Sequence, residues 1–337
     1  MTHDALTPDD LTPEEVAIAS VNEIAAGRLP LQAQWRIAEQ RARRDAGESG
    51  SFTSNLTTGE FAAIRSAGFS PVGQVMGSAV YNVGWTYSGC GYAGAYAGAG
   101  FGPRVFNTGG FSGAGMGSGF VGAPVVDVPS VRSLLEQARH RAVERMRAEC
   151  AGLGGDGIVG VRLTLRNFYG NGVEFGAIGT AVRADGPVRP TQPFTSDLSG
   201  QDFAKLIRAG WVPIDLVMGV GAVIRHDDWT QAVQMGTWRN NEVTGLTQLV
   251  NTARAAARES LAKDAGRRGG HSVVLQDMRL SVFDSRCAYN GEAKDHLADA
   301  FVFGTAITPI DRSGKSPPRT AKPLQMIRLN KGPKGIR

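Results

Sequence analysis

Residues 52–77 and 194–219 of this 337-residue chain align without a gap at a constant offset of 142, with 12 of 26 positions identical. Roughly one or two would agree by chance at ordinary residue frequencies. Phe-Thr-Ser, Leu56/Leu198, Phe61/Phe203, Ala67-Gly68/Ala209-Gly210, Pro71/Pro213 and Val75-Met76-Gly77/Val217-Met218-Gly219 are shared. Residues 131–155 align with 246–270 at offset 115, keeping Ala138-Arg139/Ala253-Arg254, Glu144/Glu259 and Gly154-Gly155/Gly269-Gly270. A third block sets Gly179-Thr180-Ala181-Val182 against Gly304-Thr305-Ala306-Ile307 at offset 125. A tandem duplication explains all three. The offsets place 142 − 115 = 27 extra residues in the first copy and 125 − 115 = 10 in the second.

Each block has a local physical reading. Thr57 with Glu60 forms a capping box, and Ser199 with Asp202 an imperfect one, because aspartate reaches less far. Gly68 and Gly210 suit left-handed helix ends, after which Val72–Val83 and Ile214–Arg225 read as β-branched strands. A long helix follows, with Ser130 and Thr244 as expected caps. Val131, Leu134, Leu135, Ala138, Ala142, Met146 and Cys150 line one face of it, matched by Leu246, Leu249, Val250, Ala253, Ala257, Leu261 and Ala265. Such a face covers a sheet. Two more strands close each copy, at about 157–166 and 174–183, then 272–283 and 298–308. The fold class is therefore α+β: two tandem α/β domains, each a short, mainly antiparallel sheet covered by one long and one short helix. The expected domains are 52–183, with an insertion at 84–122, and 194–308, joined by a Pro-rich linker at 184–193.

Gly68-Phe69 with Val72–Gly77, the helix with Ala138-Arg139, Ala142 and Glu144, the run Leu153–Val161, and Gly179–Val182 together resemble the YbjQ-like family, often described as a heavy-metal-binding domain. The resemblance covers both copies. It implies a compact α/β subunit that assembles into rings, typically pentameric, through its sheet edges, and it implies no established activity.

Both ends of the chain are appendages. Residues 1–50 read as a helical hairpin: Thr12, Pro13 and Glu15 start a helix that Gly27 stops, and Pro30–Ala46 forms a second. From Arg312 to Arg337 there are eight basic residues and no acidic one, so a net charge of +5 over the chain becomes 5 − 8 = −3 over residues 1–311. With Pro317, Pro318, Pro323 and Pro333, residues 309–337 read as a disordered basic tail. The plain role is solubility; the alternative is docking on nucleic acid, an anionic membrane or an acidic protein. No apolar run reaches the ~20 residues of a membrane span, the longest being Leu216–Ile224. The acidic N-terminus is unlike a signal peptide. Three cysteines without a CxxC pair suit a reducing compartment. A cytoplasmic protein is expected.

Metal and partner sites are the remaining question. A divalent metal wants three or four convergent His, Cys, Asp or Glu side chains. His226-Asp227-Asp228 is the tightest cluster, although a polar turn after a strand explains it equally. Cys150 and His140 face alanines in the sister copy and read as structural, and Cys287 and His296 belong to the second copy alone. The insertion holds 14 glycines, 8 aromatics and one charge between Gly84 and Gly122. Tyr87, Tyr92, Tyr96, Phe101, Phe106 and Phe111, spaced along a flexible chain, are candidate contact residues for self-association or a partner groove. Its GxGxxG matches neither leave a strand nor open a helix, so no dinucleotide site is expected. Neither a GxSxG elbow nor HExxH occurs. The sequence reads as a non-enzymatic, homo-oligomeric binding or scaffold protein with no resident cofactor. A metal-ion binder is the alternative, and an enzyme using clefts between subunits the third reading.

Overall fold

The computed structural model describes residues 11–47, 53–82, 124–167, 172–187, 189–286 and 294–310. The insertion and the basic tail therefore lie outside the described residues, as do Tyr87, Tyr92, Tyr96, Phe101, Phe106 and Phe111. The described elements run α1 (Pro13–Ala25), α2 (Leu31–Asp45), α3 (Thr58–Ser66), β1 (Phe69–Asn82), β2 (Val125–Asp127), α4 (Pro129–Gly152), β3 (Gly157–Asn167) and β4 (Gly172–Ala184). They continue with β5 (Phe194–Thr195), α5 (Gly200–Arg208), β6 (Trp211–His226), α6 (Trp229–Met235), α7 (Thr244–Arg267), β7 (Ser272–Arg286) and β8 (Lys294–Pro309). The fold is α+β. A first sheet has the order β1-β4-β3-β5 and a second the order β2-β6-β8-β7.

Helix starts follow the local chemistry. Thr57 and Glu60 make both bonds of a capping box, and so do Thr12 and Glu15. Ser199 accepts from the Asp202 N–H, but Asp202 reaches back only to the Ser199 hydroxyl. Gly68 and Gly210 both have φ +82, and Gly154 and Gly269 φ +72 and +73, where a side chain is strained. The long helices depart from expectation at their N-termini. Ser130 and Thr244 are not caps: Val128 and Val243 hold those positions without a side-chain bond. The Val128 N–H is already bonded to the Ala222 carbonyl, so β2 runs straight into α4, and Pro129 fixes the first helical φ.

Two short strands and one helix escape the sequence reading. β2 pairs antiparallel with β6, Val125 opposite Arg225, and β5 pairs parallel with β3, Phe194 opposite Gly157. Each therefore completes the sheet made mostly by the other half, crossing the line drawn between residues 183 and 194. Helix α6 is opened by Asp228, which accepts from the Gln231 N–H.

Packing then sets the layers. Val131, Leu135, Ala138, Ala142, Met146 and Cys150 of α4 are buried on the first sheet, and Leu249, Ala253, Ala257, Leu261 and Ala265 of α7 on the second. The helices come close because glycine lies beneath them. A β-carbon at Gly77 would strike the Ala142 carbonyl, and one at Gly219 the Ala257 carbonyl. Helix α4 also packs against β6. One apolar cluster joins α4, Leu163 and Phe175 of the first sheet, and Leu216, Met218, Val220, Ala222 and Phe303 of the second. The second sheet is thus covered by α7 on one face and by α4 with the first sheet on the other.

Contacts repeat at aligned positions. The Met76 N–H donates to Glu149 at 2.8 Å, and the Met218 N–H to Asp264 at 3.1 Å. Ser54 bonds Thr180 at 3.4 Å, and Ser196 bonds Thr305 at 3.0 Å.

Candidate functional site

The proposed metal ligands sit where β6 ends beside β8, and their side chains part. His226 Nδ1 lies 2.8 Å from Asp295. Asp227 faces His296 Nε2 at 2.7 Å and accepts from Gln231 and the Lys294 N–H. Asp228 caps α6 and pairs with Arg225. His296 bridges outward to Asp284 through Nδ1, at 2.7 Å. Its two carboxylates lie on opposite ring nitrogens, so their lone pairs do not converge on one point. Among the described residues no three metal-ligating side chains form a cluster. Cys150 does not supply a thiolate either: burial, then the charge of Asp156, pushes its thiol up to about 12, and its sulfur donates to the Gly157 carbonyl at 3.4 Å. The residues described do not fit a heavy-metal site.

Clefts suited to catalysis fare similarly. A cavity of about 660 Å³ lies between the α1–α2 hairpin, β1 and α4, lined by Arg28, Arg141, Glu144 and Arg145 among others. Its cations are spoken for: Arg28 pairs with Glu23, Arg141 with Glu144, and Arg145 donates to the Ser78 carbonyl. These are structural ties rather than a poised acid and base.

The chemistry of this fold concentrates instead where the two sheets meet. Asp215 of β6 accepts from Arg147 of α4, Arg268 after α7, and the Thr195 hydroxyl of β5. Asp264 of α7 accepts from Arg139 of α4 at 3.0 Å and from Arg268 at 3.2 Å. Three guanidiniums thus face two carboxylates in a buried seam. Burial lowers the Arg147 pKa, and burial together with the charges of Arg139 and Arg147 lowers that of Arg268 to about 10. Burial, with Arg139 next in effect, also holds His140 below its ordinary value. Ser260 of α7 donates to Glu136 of α4, which extends the seam at 3.1 Å. A well-packed apolar seam of equal size is commonly as stable; these pairs tie α4 and β5 to β6 and to the end of α7.

Sequence reasoning did not single out this seam, though signals exist. Asp215 is the one acidic residue in β6, and the aligned positions 139 and 254 both carry arginine.

Comparison with known proteins supplies the context. An encapsulin nanocompartment protein of Mycobacterium tuberculosis is 35% identical over 267 residues, covering 76% of this chain and 86% of that protein. The chain belongs to that protein's family. A family model described as "Putative heavy-metal-binding" also matches residues 122–185, the stretch that holds β2, α4, β3 and β4. The likeness to the mycobacterial relative is long enough to take in material from both sheets, because 267 residues exceed either half. No described helix is long and apolar enough to cross a membrane.

Proposed function

We propose that the chain is a non-enzymatic, self-assembling scaffold subunit of the cytoplasm, built from two copies of a YbjQ-like unit and serving in, or with, a protein compartment. The observation that carries this reading is the extended identity to a protein named for an encapsulin nanocompartment. The seam between the sheets supports it physically: each unit lends a strand to the other, so the unit is of a kind that is completed by a neighbour. The Gly/aromatic segment 86–122, with Tyr87, Tyr92, Tyr96, Phe101, Phe106 and Phe111, and the basic tail are its further contact devices in this reading. A metal-ion binder is the second reading, favoured by the family description of residues 122–185, a stretch that does not contain His226, Asp227 and Asp228.

Native mass spectrometry on the untagged full chain tests both. A metal-free assembly of several subunits is expected, with fewer subunits after deletion of 86–122. A monomer at micromolar concentration overturns the scaffold reading, and a whole-number metal adduct per chain moves the metal reading ahead of it.

A further inference from the structure

The two surfaces that meet inside the chain have aligned counterparts elsewhere in it, and the counterpart of the β6 face is open. On β6 the side of the strand turned away from α7 carries Leu216, Met218, Val220 and Ala222, all buried against the α4 side of the molecule. The aligned positions on β1 are Gln74, Met76, Ser78 and Val80, on the outer face of the first sheet. Met76 is 56% exposed against 3% for Met218, and Val80 51% against 0% for Ala222. Ile178 of β4, aligned with Phe303, continues this face and is half-buried.

The complementary surface is displayed by the other half. Arg139 of α4 is buried and reaches Asp264 across the seam. Its counterpart Arg254, on α7, is exposed, whereas Glu149, the counterpart of Asp264, is buried and holds Arg36 and the Met76 N–H. Leu163, which covers the second sheet from β3, aligns with the half-buried Met278 of β7. An interface whose halves are different surfaces, each present again elsewhere on the molecule, joins molecules head to tail.

We propose that the outer face of the first sheet docks the α7 side of a second copy of this chain, repeating the internal seam between molecules, with the exposed Arg254 of that copy at the flank of the contact. This rests on the self-assembling reading above. The intermolecular contact is reversible where the internal one is permanent. Gln74 and Ser78 stand in for Leu216 and Val220, and Gly73 for Asp215, so apolar area and the central carboxylate are both missing.

Sedimentation velocity on the full chain across a micromolar range, with thermal melts of each variant, tests it. Wild type is expected to gain mass with concentration. Val80→Glu and Arg254→Glu should each weaken association about tenfold or more with unchanged melting, and Ser78→Val, which restores the residue of β6, should tighten it about threefold. If Val80→Glu lowers the melting temperature, Arg254→Glu on its exposed helix flank carries the test. Association as strong as wild type in that variant rejects this face and leaves self-assembly standing; a wild type that never associates rejects both.

Discussion

On β6 both rows of side chains are buried, whereas on β1 only the row facing α4 is. Val75, Gly77 and Ala79 lie under α4 as Val217, Gly219 and Gly221 lie under α7, so one design serves both strands on the helix side. They part on the opposite side, where β6 meets the rest of the molecule and β1 does not. Antiparallel strands with one solvated face alternate in polarity, and strands covered on both faces run continuously apolar. Gln74 and Ser78 against Leu216 and Val220 follow that rule. The difference between the halves is therefore one of position in a stack rather than of fold.

The comparison breaks most readily at the glycines. An added β-carbon at Gly219 runs into the backbone of Ala257 and Leu261, and one at Gly77 into that of Ala142 and Met146. Backbone cannot rotate aside, so relief requires the strand to move away from its helix. β1 has room to do so, because its outer face is open. β6 does not, being held from behind by α4 and Asp215. Gly219→Ala is expected to cost about 3 kcal/mol or more and Gly77→Ala about 2, read as urea midpoints at constant m-value. Equal losses would mean that the cover on β6 adds no rigidity.

The next effect concerns the paired carboxylates. Glu149 and Asp264 do the same work, each accepting a strand N–H and an arginine brought from another element. Arg139 is 3% exposed at its side chain and Arg36 38%. Replacing Arg139 by Met leaves Asp264 in a dry seam with Arg268 alone, a loss of about 3 kcal/mol. Replacing Arg36 by Met opens Glu149 to water, which limits the loss to about 1. Similar values for the two would show that the seam is wetter than its burial suggests, and chemical denaturation of the two variants side by side decides it.

Much of this arrangement is legible in the residues. Capping pairs, the glycine helix ends and the α4 and α7 faces follow from spacing alone, because each is a local interaction. The run Leu216–Ile224, read as part of a strand and too short for a membrane span, also announces by its continuous apolar character that the strand is buried on both faces. What local pattern does not carry is the exchange of β2 and β5. A strand of two or three residues has no period of its own, and its place is set by a partner far along the chain. Asp228 before Gln231 is the signal of α6, hidden because the same aspartate serves a metal hypothesis. The seam of Asp215, Asp264, Arg139, Arg147 and Arg268 is scattered over more than a hundred residues, and only the packing of one half on the other assembles it.

A last contrast lies on β8. Asp299 aligns with Glu174 of β4, and the aspartate is buried where the glutamate is half-buried. Burial pushes the Asp299 carboxyl up to about 6, and its Oδ1 lacks a hydrogen-bond partner among the described residues. An unfolded aspartate titrates near 3.9, so between about pH 4 and pH 6 the folded chain holds the extra proton and stability falls as pH rises. Above pH 6 both states are ionised and this contribution levels off, leaving the fold about 2–3 kcal/mol less stable at neutral pH than a neutral side chain would. Asp299→Asn should therefore raise stability at pH 7.5 and flatten the decline from pH 4 to 6, while Glu174→Gln changes little. Urea titrations at pH 4, 6 and 7.5 read both effects. A variant no more stable than wild type at pH 7.5 would mean that the carboxylate finds water or a cation in solution, and that the covered face of the second sheet opens there.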